Sequence, residues 1–330
     1  MLYLIALLPI IVYVVIIKAM DGFSIASWKR ILAWFVWGFV TCGGLLLYSR
    51  WTGRDLGWYA PLVEEFLKAL PLVIAVCRKK VVFFSESLIY GTAIGAGFAF
   101  LENVIYVAVL PGFTLGDAIL RGFGTAVLHM GCTALYTTLA IIITRILAGK
   151  PHWLMTCVAF ISILPSFVIH YYYNQFLLPE FLQLALVILV MMGLFVVIYD
   201  IDGKLIHKWL DTCISNDVSL LASMKAGHLK ETSAGRYLLD MRKKFQPEVF
   251  FDICTYLGLY LEMSIAAKSR MIMKEAGIEM PVGEAEHQRN TDNMTELKSL
   301  RNNIGLSGLM CLKPIIDEKA VDSWVLDELL

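Results

Sequence analysis

Residues 1–202 are dominated by apolar runs, at about 1–17, 31–48, 58–77, 84–110, 120–144, 153–177 and 181–199, each near the length that crosses a bilayer as a helix. In hydrocarbon a spanning segment must satisfy its own backbone, so such runs predict α-helices and exclude loops or open sheet edges. The expected fold is all-α: a polytopic membrane helix bundle of about seven spans, followed by a soluble, mainly helical C-terminal domain. The boundary comes from charge. Residues 1–202 hold 22 of the 56 Asp, Glu, Lys and Arg, so a membrane domain over 1–202 and a tail domain over 203–330 are expected. A mean hydropathy of +0.69 fits that division.

Residues 1–17 lack a basic leader and a small-residue cleavage site, which reads as a retained first span. Loops one, three and five carry three, three and two Lys or Arg, whereas loops two, four and six carry two, one (Arg121) and none. Cytoplasmic loops hold the basic excess, which puts the N-terminus outside and the C-terminus in the cytoplasm. The net charge of zero excludes a generally basic nucleic-acid binder. Seven cysteines without a C-x-x-C pair read as reduced packing residues. In the tail, Pro247–Gly277 is expected to be an amphipathic helix that docks rather than spans, available to a cytoplasmic partner, and Glu279–Lys298 a solvated linker. No motif assigns the tail a function.

The third run, Pro61 to Pro71, carries Glu64, Glu65 and Lys68 where lipid should surround it. A charge at that depth costs about 2.5 to 3.5 kcal/mol on insertion scales, and marks a functional site with a partner. Other runs supply partners: Glu102 with Asn103, His129, and His170 with Asn174. Counted from the outer end of each span, Glu64 is about six residues in, His170 about seven, Glu102 about eight and His129 about ten. That places all four roughly 9 to 15 Å below one surface. Glu64 and Lys68 are i, i+4 neighbours, so Lys68 is expected to neutralise Glu64 while Glu65 turns about 100° away. His129 shares a face with Thr133, and His170 with Asn174. An imidazole with a hydroxyl or amide one turn away suits a developing oxyanion in a water-poor site. Of two carboxylates crowded there, one holds a proton and the other serves as base toward a water. Ser85 and Glu86 read as a helix cap, and Asp200 and Asp202 as interface residues.

Glu64-Glu65-x-x-Lys68, Phe98-x-x-x-Glu102-Asn103, His129 and His170-x-x-x-Asn174 on successive helices resemble the motif set of the PrsW family of intramembrane proteases. The resemblance covers about residues 55–180. That family is a branch of the group that includes the CAAX prenyl-protein endopeptidases. In the CAAX branch the second motif ends in histidine where Glu102 stands, and an arginine stands in place of Lys68. The resemblance implies an intramembrane endopeptidase with Glu64 as the base that activates water, opposed by Glu102. His170 and Asn174 would stabilise the oxyanion, Glu65 and Lys68 would orient Glu64, and Asn103 and His129 would complete the site. It also implies a membrane-anchored protein substrate, such as an anti-sigma factor cut near the outer face, and a bacterial or archaeal cell membrane as the location.

A metal-free glutamate route is favoured over zinc. The zinc alternative uses Glu102, His129 and His170 as ligands, with Cys132 one turn from His129 as a fourth. Two other classes stay open: a proton-coupled transporter, in which buried carboxylates and histidines form a relay, and a membrane sensor whose tail is the output. No inverted repeat or pair of broken helices supports the transporter.

Overall fold

The computed structural model describes residues 1–21, 25–54, 56–78, 80–81, 83–147, 150–278, 283–316, 326 and 329. Asp55 and Lys79, both among the loop charges, lie outside them. The described residues form helices and no strand. The chain divides into two compact units, Met1–Gly203 and Lys204–Leu330.

Unit 1 contains α1 (Leu2–Ala19), α2 (Trp28–Thr52), α3 (Ala60–Cys77), α4 (Phe84–Val109), α5 (Leu115–Ile119), α6 (Ala126–Ile146), α7 (His152–Ile161), α8 (Leu164–Asn174) and the first part of α9 (Glu180–Lys225). Among the described residues seven helical stretches are long and apolar enough to cross a membrane. Six match expected spans. The expected third span forms as α3, but Glu64, Glu65 and Lys68 put three charges into its 18 residues, so it falls outside that measure. The seventh is Pro247–Glu275, in the tail, where docking was expected instead.

Local chemistry shapes the spans. The expected sixth span is two helices, because Pro165 near the start of α8 offers no N–H to α7 and the chain breaks at Ser162 and Ile163. In α3, Pro71 likewise leaves the Leu67 carbonyl without its helical donor. The indole N–H of Trp37 on α2 lies 3.3 Å from that carbonyl and 3.1 Å from the Lys68 carbonyl, so it supplies the missing donor.

Helix α4 is the hub, packing on α1, α2, α3 and α6. With no hydrophobic drive between helices in lipid, association depends on close packing, which small residues permit. A Cβ at Gly97 would strike the Phe35 carbonyl of α2, and one at Gly38 of α2 would strike the Ile94 carbonyl. One at Gly95 would strike the backbone of His129 and Met130 on α6. The approach of α4 to α6 brings Glu102 and His129 within side-chain reach of each other.

Charges at the far end of α4 are also buried. Ser85 and Glu86 do not cap the helix toward solvent: the Ser85 N–H and hydroxyl both donate to Asp202, at 2.7 and 2.5 Å. Asp202, expected at an interface, is fully buried there, whereas Asp200 is exposed. Glu86 faces Arg30 at 3.8 Å.

Unit 2 comprises the rest of α9, α10 (Ser233–Arg242), α11 (Pro247–Glu275) and α12 (Glu284–Leu312). α11 packs on α12, and Lys268 donates to Asp217 at 2.7 Å. The expected linker over Glu279–Lys298 is corrected: residues 284–298 open α12, and 279–282 lie outside the described residues. Glu284 and Glu286 in the first turn favour the helix dipole, and Leu297, Leu300 and Ile304 bury a narrow stripe that the polar majority conceals in sequence.

Candidate functional site

Glu65 and Lys68 are three residues apart on α3 and fully buried, and Lys68 Nζ donates to Glu65 Oε1 at 2.6 Å. The expected pair between Lys68 and Glu64 is therefore corrected. The i, i+3 partner lies deeper in the bundle, and a buried carboxylate has the greater need of a counter-charge. Glu65 is also saturated by hydrogen bonds. His170 Nδ1 lies 2.9 Å from Oε1, and Thr133 Oγ1 donates to Oε2 at 3.0 Å.

His129 is held at both nitrogens. Lys68 Nζ lies 3.1 Å from Nδ1, and Glu102 Oε2 lies 3.1 Å from Nε2. An ammonium has only hydrogens to offer, so Nδ1 accepts and the single proton of the neutral ring sits on Nε2, facing Glu102. The rings of His129 and His170 meet edge to face with centroids 4.8 Å apart, and Phe98 lies against His129 at 4.9 Å.

Glu102 has a second partner, Arg121, whose Nη2 donates to the same Oε2 at 2.6 Å. Asn103 is buried and bridges two elements: its Nδ2 donates to the Ala6 carbonyl of α1 at 2.9 Å, and its Oδ1 accepts from Arg121 Nε at 3.0 Å. Glu64 differs from the other two carboxylates. Its nearest charged partner among the described residues is His170 Nε2 at 3.8 Å, while its side chain, 20% exposed, is about as open as that of Glu102 at 22%.

The structure thus gathers Glu64, Glu65, Lys68, Glu102, Asn103, His129 and His170 into one network from α3, α4, α6 and α8. It leaves out Asn174, which is exposed at the end of α8 and makes no hydrogen bond to the others. Two participants were missed as site residues in the sequence, and a third was given a different role. Thr133 was read as an oxyanion donor beside His129 and instead donates to Glu65, Arg121 was counted as a loop charge, and Trp37 is an ordinary aromatic. A signal existed for Arg121: Gly122 and Gly124 beside it mark a backbone irregularity, and residues Leu120–Thr125 form a π-helical turn.

The chain of this site has its counterpart among known proteins. A protein-family model described as the PrsW family intramembrane metalloprotease matches residues 26–199, more than half of the chain and every helix that contributes a charged site residue. The chain belongs to the PrsW family. It is accordingly an integral-membrane peptidase, and residues 200–330 lie beyond the matched stretch. Comparison with curated proteins and with solved structures gives no match.

The PrsW description implies a metal, and the donor set can be tested against one. Among the described residues, Glu64, His129 and His170 offer ligand atoms within 4.8 Å of one another. This differs from the set of Glu102, His129 and His170 read from the sequence, because Glu102 is engaged by Arg121 whereas Glu64 faces the imidazoles. Cys132 is buried and is not among those donors, and its carbonyl accepts from the Ser166 hydroxyl at 2.7 Å. Two imidazoles and a carboxylate are a normal catalytic zinc set, and His170 has its other nitrogen on Glu65, as a ligating imidazole commonly does. The residues fit, provided His129 gives up its bond to Lys68 or to Glu102. Charge points the same way. Glu64, Glu65 and Glu102 outnumber Lys68 and Arg121, so with neutral imidazoles the network lacks one positive charge, which a proton or a metal ion would bring.

Proposed function

We propose that this chain is an intramembrane endopeptidase in which Glu64 activates the hydrolytic water. The observation that carries the reading is the contrast among the three carboxylates. Glu65 is spent on Lys68, His170 and Thr133, and Glu102 is held through Oε2 by Arg121 and His129, whereas Glu64 has no charged partner nearer than 3.8 Å among the described residues and is the carboxylate most able to accept from a water. It takes a proton from water as the oxygen attacks the scissile carbonyl carbon, and returns that proton to the departing amine nitrogen. With the missing positive charge supplied as a proton on His170, Nδ1–H stays on Glu65 while Nε2–H is free to donate to the oxyanion.

A zinc ion would be held by Glu64, His129 and His170, and would supply a polarised carbonyl and a water of lowered pKa. The close approach of those three donors is the observation that favours this second reading. The substrate proposed is a membrane-anchored regulatory protein of the anti-sigma-factor kind, reached from within the bilayer.

The test is cleavage of a co-expressed single-span protein and identification of what accumulates uncut. Glu64→Gln is expected to reduce cleavage by about 100-fold or more, with the protein still folded. Cleavage at the wild-type rate would overturn the role of Glu64. Elemental analysis of the purified chain separates the two routes: stoichiometric zinc lost together with activity selects the metal route.

A further inference from the structure

Arg121 belongs to no motif of the resemblance, and in the sequence it looks like a charge at the mouth of a span. The structure gives it three separate restraints. Nη2 donates to Glu102 at 2.6 Å, Nε donates to Asn103 at 3.0 Å, and the guanidinium carbon stands 3.5 Å from the centre of the Tyr106 ring. Its side chain is only 15% exposed. The π-helical turn over Leu120–Thr125 presents it, and a Cβ at the next residue, Gly122, would stand 2.5 Å from the Ile5 carbonyl of α1. One end of that arrangement is therefore anchored on α1, through Gly122 and through the bond from Asn103 to Ala6. The other end reaches His129 through Glu102.

We propose that Arg121 is a positioning residue for the hydrolytic reaction. Its planar fork fixes the Glu102 carboxylate so that Oε2 receives the Nε2–H of His129, and this sets the ring plane that faces His170 and Glu64. A lone ammonium would still bond to Glu102 but would hold its direction less tightly, because part of the restraint comes from a second, differently aimed N–H group and a flat face on an aromatic ring. The catalytic part of this inference rests on the peptidase reading. The orientation of His129 does not.

The test uses the full chain in lipid nanodiscs and has two readouts. The first is the proton resonance of His129 Nε2–H in chain labelled with ¹⁵N-histidine, assigned by its loss in His129→Gln. The wild type should show a protected, hydrogen-bonded proton, Arg121→Gln should lose it to exchange, and Arg121→Lys should keep it at a shifted position. The second is turnover of a quenched fluorescent peptide with one polyleucine span. Arg121→Gln is expected to lower kcat by about 10- to 100-fold with KM nearly unchanged, and Arg121→Lys to recover part of the loss.

An unaltered Nε2–H resonance in Arg121→Gln overturns the proposal, as does loss of kcat that Arg121→Lys leaves uncorrected. If Arg121→Gln does not fold, Arg121→Lys carries the test, and a resonance and turnover both identical to wild type would overturn it. If the wild-type chain leaves the peptide uncut, the peptidase reading fails for that peptide, while the resonance still decides what Arg121 does.

Discussion

Lys68 holds three groups of the network at once. It donates to Glu65, faces the lone pair of His129 Nδ1, and stands 4.4 Å from the centre of the Phe98 ring. Replacing it by methionine keeps the length of the side chain but strands a fully buried carboxylate, a change that typically costs about 3 to 5 kcal/mol. Lys68→Met should therefore unfold at distinctly lower denaturant than wild type. Adding Glu65→Gln should restore much of the loss, because the glutamine still accepts from His170 or Thr133. Unchanged stability in Lys68→Met would show that the pair carries no such weight. Periodicity reveals that charges lie inside a span, but not which of two adjacent glutamates takes the lysine. Glu64 and Glu65 are both within helical reach of Lys68, and only the packing of α6 and α8 decides which is drier. Arg121 was illegible for a related reason: its role depends on one extra residue in a helical turn, which shifts its direction without changing the hydropathy of the run.

At the scale of the element, the network exists because α4 approaches α2 and α6 at van der Waals distance. Gly95 faces the backbone of His129 and Met130, so a methyl group there must push α6 away at the point where His129 reaches Glu102. Overpacking of this kind typically costs about 1 to 3 kcal/mol. Gly95→Ala should be less stable and should cut more slowly, whereas Gly44→Ala on α2, where a Cβ meets nothing within 4 Å, should leave both unchanged. Equal behaviour of the two variants in unfolding and cleavage assays would refute the close-contact account. The sequence does carry a signal for the glycines of α4 as contact residues, since small residues in a span have few other uses. The break between α7 and α8 was not drawn from the sequence although Pro165 announces it, because hydropathy runs on unbroken through that proline. Residues 284–298 were misread for the opposite reason: polarity looked like a linker where a narrow buried stripe was enough for a helix.

At the scale of the whole molecule, the assignment of Arg121 to the network bears on orientation. The charge bias counts Lys and Arg that remain in the loops, and Arg121 is bound to Glu102 and Asn103 instead. Removing it leaves loop four with no basic residue, so loops one, three and five hold eight and loops two, four and six hold two. The rule concerns the charges that resist translocation, and the asymmetry grows once the site arginine is set aside. The first turns of α3 and the last turns of α8, which bring Glu64 and His170, stand at the end of the bundle that faces outward in this orientation, the side on which the family resemblance implies cleavage. Fusion at the C-terminus should therefore give a fluorescent green protein and an inactive alkaline phosphatase. The same reporters placed in the loop between α4 and α5 should give the reverse. Active phosphatase at the C-terminus would invert the bundle, put Glu64 in the cytoplasmic half of the membrane, and require a substrate that presents its scissile bond from inside the cell.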